Sequence, residues 1–224
     1  MNEIDLSKTS ITELNSQLHK AQANDEYRIL NSKGSHSVAA GMQAPCKVTV
    51  DGHVGYYCAG MNKEADITIS GNAGPGVAEN IMSGTVRIKG NASQYTAASG
   101  HGGLVIIEGD ASSRCGISMK GIDIVVAGSV GHMGAFMGQS GNLVICGDAG
   151  HHIGDSLYEA RIFIKGKVGE LGADCIEKEM RDDHIDILQG LLDRASIDAN
   201  ARDFRRYGSA RKLYHFKVDH ADAY

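Results

Sequence analysis

The stretch GDAGHHIGD, residues 147–155, sets His151 and His152 among glycines with Asp148 and Asp155 on either side. Imidazoles and carboxylates are ligands for zinc and other transition metals. Histidine is also the side chain best suited to proton transfer near neutral pH, and glycine-rich loops can cradle phosphate with their amides. Each chemistry needs its own frame. A Walker loop requires GKS or GKT opening a helix, and a dinucleotide fingerprint requires GxGxxG between a strand and a helix; GDAGHHIGD matches neither, and a further strand follows it. The metal reading needs a third ligand. His132, His151 and Glu170 recur at equal intervals along the chain, which raises the question of what element carries that interval.

The interval is a repeat. Segments reading apolar, any, apolar, any, glycine occur as VTVDG, ITISG, VRIKG, VIIEG, IVVAG, LVICG and IFIKG. Their glycines are Gly52, Gly71, Gly90, Gly109, Gly128, Gly147 and Gly166, spaced by that same interval without an insertion or deletion. The alternation is that of strands, and one strand per fixed repeat predicts like strands stacked in parallel, coil on coil. The fold class expected is all-β, a β-solenoid of about seven 19-residue coils with a short helical cap at each end. At about 4.8 Å per coil the seven glycines span roughly 29 Å. The glycines are expected to turn the corners with positive φ. Small residues two positions later (Val54, Ala73, Ala92, Ala111, Val130, Ala149, Val168) and seven positions later (Ala59 through Ala173) form inward columns.

Solenoid ends expose apolar residues and unpaired strand edges, so both need covers. Residues 1–27 are expected to supply an N-terminal helical cap, because Ser10 to Glu13 (SITE) is a capping box followed by Ile11, Leu14, Leu18 and Ala21 on one face. Residues 28–174 form the β-helix, with 27–42 as an irregular first coil. Residues 175–224 form a helical segment and an extended arm. The first helix of that segment starts at Asp183 as N-cap, a second runs over about Ala199 to Tyr207, and the arm follows. Arg202, Arg205, Arg206, Arg211, Lys212 and Lys217 mix with Phe204, Tyr207, Tyr214 and Phe216. In a chain of net charge −5 without an RNA-binding signature, this favours a protein interface over nucleic acid. Arg205, Arg206 and Tyr207 are its docking candidates.

The composition excludes other classes. Residues 1–30 lack the basic start and apolar run of a signal peptide, and no apolar stretch is long enough to span a bilayer. The five cysteines, Cys46, Cys58, Cys115, Cys146 and Cys175, are odd in number and widely spaced. That fits free thiols in a reducing compartment and lacks the CxxC clusters of zinc or iron–sulfur sites. A cytoplasmic protein without membrane or nucleic-acid partners is the expectation.

Coils such as GHMGAFMGQSGNLVICGDAGHHIGD, residues 131–155, resemble the GXGXG domain at the C-terminal end of the large glutamate synthase subunit. The tail, from LGADCIEKEM through DFRRYGSARKLYHFKVDH, is similar to the stand-alone form of that domain. The resemblance implies a right-handed β-helix and a noncatalytic scaffold subunit. Its partners would be an amidotransferase-like subunit and an FMN-binding glutamate synthase-like subunit, as in N-methylglutamate synthase of methylamine metabolism. FMN and an iron–sulfur cluster would sit in a partner, with no cofactor in this chain. A formylmethanofuran dehydrogenase subunit carries a similar repeat but a less similar tail. The residues agree with a noncatalytic part. The chain starts Met1, Asn2, Glu3 rather than with the cysteine nucleophile of a class II amidotransferase, and it has neither alternating βα units nor clustered cysteines.

A β-helix enzyme is the competing class. Left-handed acyltransferase helices repeat a hexapeptide three times per coil and use histidine bases, a role open to His101 or His132, but a 19-residue coil with one dominant strand signal departs from that pattern. A metal at His132, His151 and Glu170 is geometrically allowed by stacking at about 4.8 Å. A straight column nevertheless points its side chains in parallel where an ion needs them to converge. The expected site residues are therefore the structural corner glycines, with no catalytic residue.

Overall fold

The computed structural model describes residues 1–211. Among these, eleven strands form one sheet in chain order, except that the last two exchange places. The regular strands are β3 (Lys47–Val50), β4 (Asp66–Ile69), β5 (Thr85–Ile88), β6 (Leu104–Ile107), β7 (Lys120–Val126), β8 (Ser140–Ile145) and β9 (Arg161–Ile164). They pair in parallel, with Val48, Ile67, Val86, Val105, Ile124, Leu143 and Ile162 directly opposite one another from strand to strand. The constant interval in the sequence is thus a constant register, and the chain is an all-β solenoid. The aliphatic residues four and two before each corner glycine point inward and are buried along the whole length. A second parallel column of single bridges links Val54, Ala73, Ala92, Ala111, Val130, Ala149 and Val168.

The sheet starts earlier than the regular repeats. β1 (Asn2–Asp5) and β2 (Glu26–Leu30) extend it in parallel, with Tyr27 opposite Val48. Helix α1 (Ile11–Leu18) lies in the connection between them. Its Ser10 and Glu13 form the capping box read from the sequence, and Leu14 and Leu18 are buried.

The corner glycines do a different job from the one expected. Of the seven, only Gly52 has a positive φ, +97°. The others are needed for close approach: a Cβ at Gly109 would lie 2.9 Å from the carbonyl oxygen of Gly90, and one at Gly71 or Gly147 would lie 2.7 Å from the backbone of the preceding corner. The reason is a direct ladder, in which the amide of each of Gly90, Gly109, Gly128, Gly147 and Gly166 donates to the carbonyl of the corner glycine before it, at 2.8–3.2 Å.

Left-handed backbone sits on another side of the coil. In the coil after Gly90 it occurs at Tyr95, Ala97 and Ser99, and in the coil after Gly128 at Met133, Ala135 and Met137, with φ of 54–61°. Such a conformation costs a non-glycine residue roughly 1–2 kcal/mol. The left-handed positions send their amides alternately up and down the stack to the neighbouring coils. Tyr95 and Ser99 donate onward to Ser113 and Ile117, and Ala97 donates back to Val77. The central position points inward, which explains its alanines and glycines. The seventh coil is one residue shorter there: Leu171 bridges Ile153, and the amide of Gly172 makes the bond to Ile153 expected of Ala173.

The C-terminal elements also depart from expectation. The helix, α2 (Asp182–Ala195), has Arg181 rather than Asp183 as its N-cap residue. The expected second helix over 199–207 is a single turn of 3-10 helix (Ala201–Asp203) followed by a strand, β11 (Arg205–Ser209). β11 pairs antiparallel with β9, and β10 (Cys175–Lys178) pairs antiparallel with β11. A backbone edge left open by β9 outweighs helix propensity here, and Tyr207 opposite Ile162 closes the core. α2 lies on a flank of the solenoid. The outward residues three before each corner glycine change from Thr49, Thr68 and Arg87 to Ile106, Val125, Val144 and Phe163. The apolar four pack with Leu188, Leu191, Leu192, Ala195 and Phe204 as a second core. Residues 212–224, most of the expected arm, lie outside the described residues. Among those described, no helix is long and apolar enough to cross a membrane.

Candidate functional site

The loop GDAGHHIGD joins the sixth coil to its neighbours through Asp148, His151 and several backbone amides. The Asp148 amide donates to Ser129 Oγ at 2.9 Å, and Asp148 Oδ1 accepts from the Lys167 amide at 2.7 Å. The amides of Ala149, Gly150, His152 and Gly154 donate to carbonyls of the adjoining coils. Amides engaged in this way are turned along the stack rather than toward a phosphate.

Asp148 belongs to a ladder absent from the sequence reading. Counting one residue on from each corner glycine, His53 Nδ1 accepts from the Asn72 amide, Asn72 Oδ1 from Asn91, Asn91 Oδ1 from Asp110, Asp110 Oδ1 from Ser129, and Ser129 Oγ from Asp148, at 2.7–2.9 Å. Every step is a side chain holding the backbone of the next coil. The sequence signal is GN and GD after the strand, legible as a repeat but equally compatible with turn chemistry.

The same device holds His151. Glu170 donates its amide to His151 Nδ1 at 3.4 Å, as Tyr56 does to His36 Nδ1 at 2.8 Å. His132, His151 and Glu170 are all exposed. The ring of His132 packs edge-on to His152, centroids 5.2 Å apart, rather than to His151. Among the described residues no three His, Cys, Asp or Glu side chains come together as a metal site. His101 is exposed at a different position in its coil from His132, so the stack does not bring those two bases into one column.

The thiols are similarly withdrawn. All five cysteines are free, and burial pushes Cys58 and Cys115 up to about 12 and Cys146 and Cys175 up to about 11. Thiolates, the reactive form, are scarce at such values.

The docking candidates separate. Tyr207 is 2% exposed, a core residue whose hydroxyl donates to Glu177, and so it is not available at the surface. Arg205 donates to the Gly166 carbonyl at 2.9 Å and faces Glu177, while Arg206 donates its Nε to the Glu179 carbonyl at 2.9 Å and is half-buried.

No protein-family model matches the chain. Protein GlxC of Rhizobium meliloti (strain 1021) is 59% identical over 225 residues, which cover 99% of this chain and 99% of that protein. With that identity sustained from end to end, the chain belongs to the family of Protein GlxC.

Proposed function

We propose that the chain is the noncatalytic structural subunit of a glutamate synthase-like complex, of the N-methylglutamate synthase type. It holds an amidotransferase-like subunit and an FMN-binding synthase-like subunit in position, and the complex converts glutamate and methylamine to N-methylglutamate and ammonia. The flavin and an iron–sulfur cluster belong to the partner. One observation carries the scaffold reading: the polar side chains on the coils' glycine corner, from His53 to Asp148, are engaged in an unbroken ladder that fixes coil to coil. A site for chemistry needs such groups free toward a substrate; a rigid spacer needs them turned along the stack. The GXGXG-like coils and the tail point to the complex.

Affinity purification of the tagged chain from its own cells tests both levels. The expected result is co-purification of an amidotransferase-like chain and a flavoprotein with an FMN spectrum, the purified complex forming N-methylglutamate and the isolated chain forming none. Recovery of a molybdenum or tungsten enzyme instead assigns the chain to a formylmethanofuran dehydrogenase-like complex. Turnover by the isolated chain refutes the scaffold.

A further inference from the structure

The C-terminal end of the solenoid gathers several cations on one face. Tyr207 and Cys175 point into the core, so the alternate residues Arg206 and Gly208 on β11 and Lys178 on β10 face outward. Lys178 lies directly opposite Arg206, and Arg206 directly opposite the outward Phe163 of β9. Arg161, two residues before Phe163, is then the diagonal neighbour of Arg206 on the same face, about 7–8 Å away between Cα atoms. The loop before α2 brings Arg181 and His184 beside them: the Arg181 amide donates to His184 Nδ1 at 3.2 Å, and its guanidinium lies 3.5 Å from Nε2. The mutual proximity is visible in the charges. Burial, and then Arg181 and Arg161, hold the Arg206 guanidinium below its ordinary range against the opposing pull of Asp183 and Glu179.

Gly208 forms the floor between them. A Cβ there would lie in ordinary contact with the stem of Lys178, at 3.7 and 3.8 Å, and with the Ala160 carbonyl at 4.0 Å, so a larger side chain would push the Lys178 stem aside. Among the described residues the ion pairs at this end go to Arg181 and His184 from Asp183, to Arg205 from Glu177 and to Arg211 from Asp174; none goes to Arg161, Arg206 or Lys178, with Asp123 facing Arg161 from farther off. Like charges gathered at this density repel one another even with Asp183 and Glu179 nearby, and a further anion between them relieves that cost.

We propose that Arg161, Lys178, Arg206 and His184, over the floor of Gly208, form a binding site for a multiply charged oxyanion at the β9, β11 and α2 junction. The proposal is independent of the scaffold reading. Thermal shift of the full chain against inorganic phosphate or succinate, with sodium chloride at matched ionic strength, tests it and tells phosphate from carboxylate. A saturable rise in Tm beyond the chloride control is expected with at least one of the two. Arg161→Gln and Arg206→Gln should each weaken binding about tenfold, and Arg194→Gln, at the other end of α2, should leave it unchanged. Gly208→Val, which keeps every cation and fills the floor, should abolish binding while the circular dichroism spectrum stays that of the wild type. Responses to both anions equal to chloride, or a response that survives Arg161→Gln, Arg206→Gln and Gly208→Val alike, overturn the site.

Discussion

A methyl group added at Gly109 would be pressed to 2.9 Å from the Gly90 carbonyl oxygen, with the Gly90 carbonyl carbon at 3.0 Å behind it. Backbone cannot swing aside as a flexible side chain can, so Gly109→Ala should cost about 3 kcal/mol in urea unfolding and Gly109→Val should leave the chain insoluble. Gly190, in α2 with nothing within 4 Å of an added Cβ, is the counterpart: Gly190→Ala should stabilise by about 1 kcal/mol through helix propensity alone. The ladder is tested beside it. Asp110→Ala strips the acceptor from the Ser129 amide and should lower stability by about 1 kcal/mol, whereas Asp110→Asn keeps that oxygen and should stay near wild type. The corner positions are legible in the sequence because a fixed interval is visible without coordinates. Their cause is not, since a glycine chosen for positive φ and one chosen for close approach look the same until the coil below is placed. His151 is a similar case: the residue type suggests a ligand, and only the position of the Glu170 amide shows the ring serving the neighbouring coil.

At the scale of elements, α2 depends on four outward side chains, Ile106, Val125, Val144 and Phe163, which it covers with Leu188, Leu191 and Leu192. Leu188→Ala should cost roughly 2–5 kcal/mol, and hydrogen exchange should show α2 losing protection while β3 to β5 keep theirs. A pH dependence resides in the same helix. Burial, then the charge of Arg206, lowers the His184 pKa in the folded chain, so folding favours the neutral ring. That contribution is complete above the ordinary histidine value of about 6.5 and is lost as pH falls through it toward the lowered folded value. Stability measured between about pH 7.5 and 5.5 should therefore fall less steeply in His184→Gln than in the wild type. The change from Thr49, Thr68 and Arg87 to an apolar column is present in the sequence as VIIEG, IVVAG, LVICG and IFIKG. Read for inward alternation alone, those strands give no hint that their outer face is covered. The strand β11 is hidden for another reason. Arg205 to Ser209 takes its conformation from the open edge of β9, a partner far away in the chain.

For the whole molecule, a stack of identical register behaves as a one-dimensional assembly in which each coil contacts its two neighbours. Removing residues 53–71 joins Gly52 to Asn72 and takes out one full repeat. The product should fold with a strand-type circular dichroism spectrum and a cooperative transition; removal of 53–70, one residue fewer, should turn inward side chains out and give a chain that aggregates. The overall architecture is the most legible level, because period, alternation and glycine spacing all describe the same object. Its two ends are the least legible: β1, β10 and β11 fall outside the regular period and are defined by the edges they cover.

The confinement of the outer apolar column to β6 through β9 also orders events in time. α2 follows those strands in the chain, so as synthesis proceeds the coils can stack while Ile106, Val125, Val144 and Phe163 still face water. The flank is sealed only when residues 182–195 have been made. Any chain halted between Ile164 and Asp182 is a stack with an open β9 edge and a bare adhesive stripe, and it is this unfinished form, rather than the mature molecule, that most needs a chaperone.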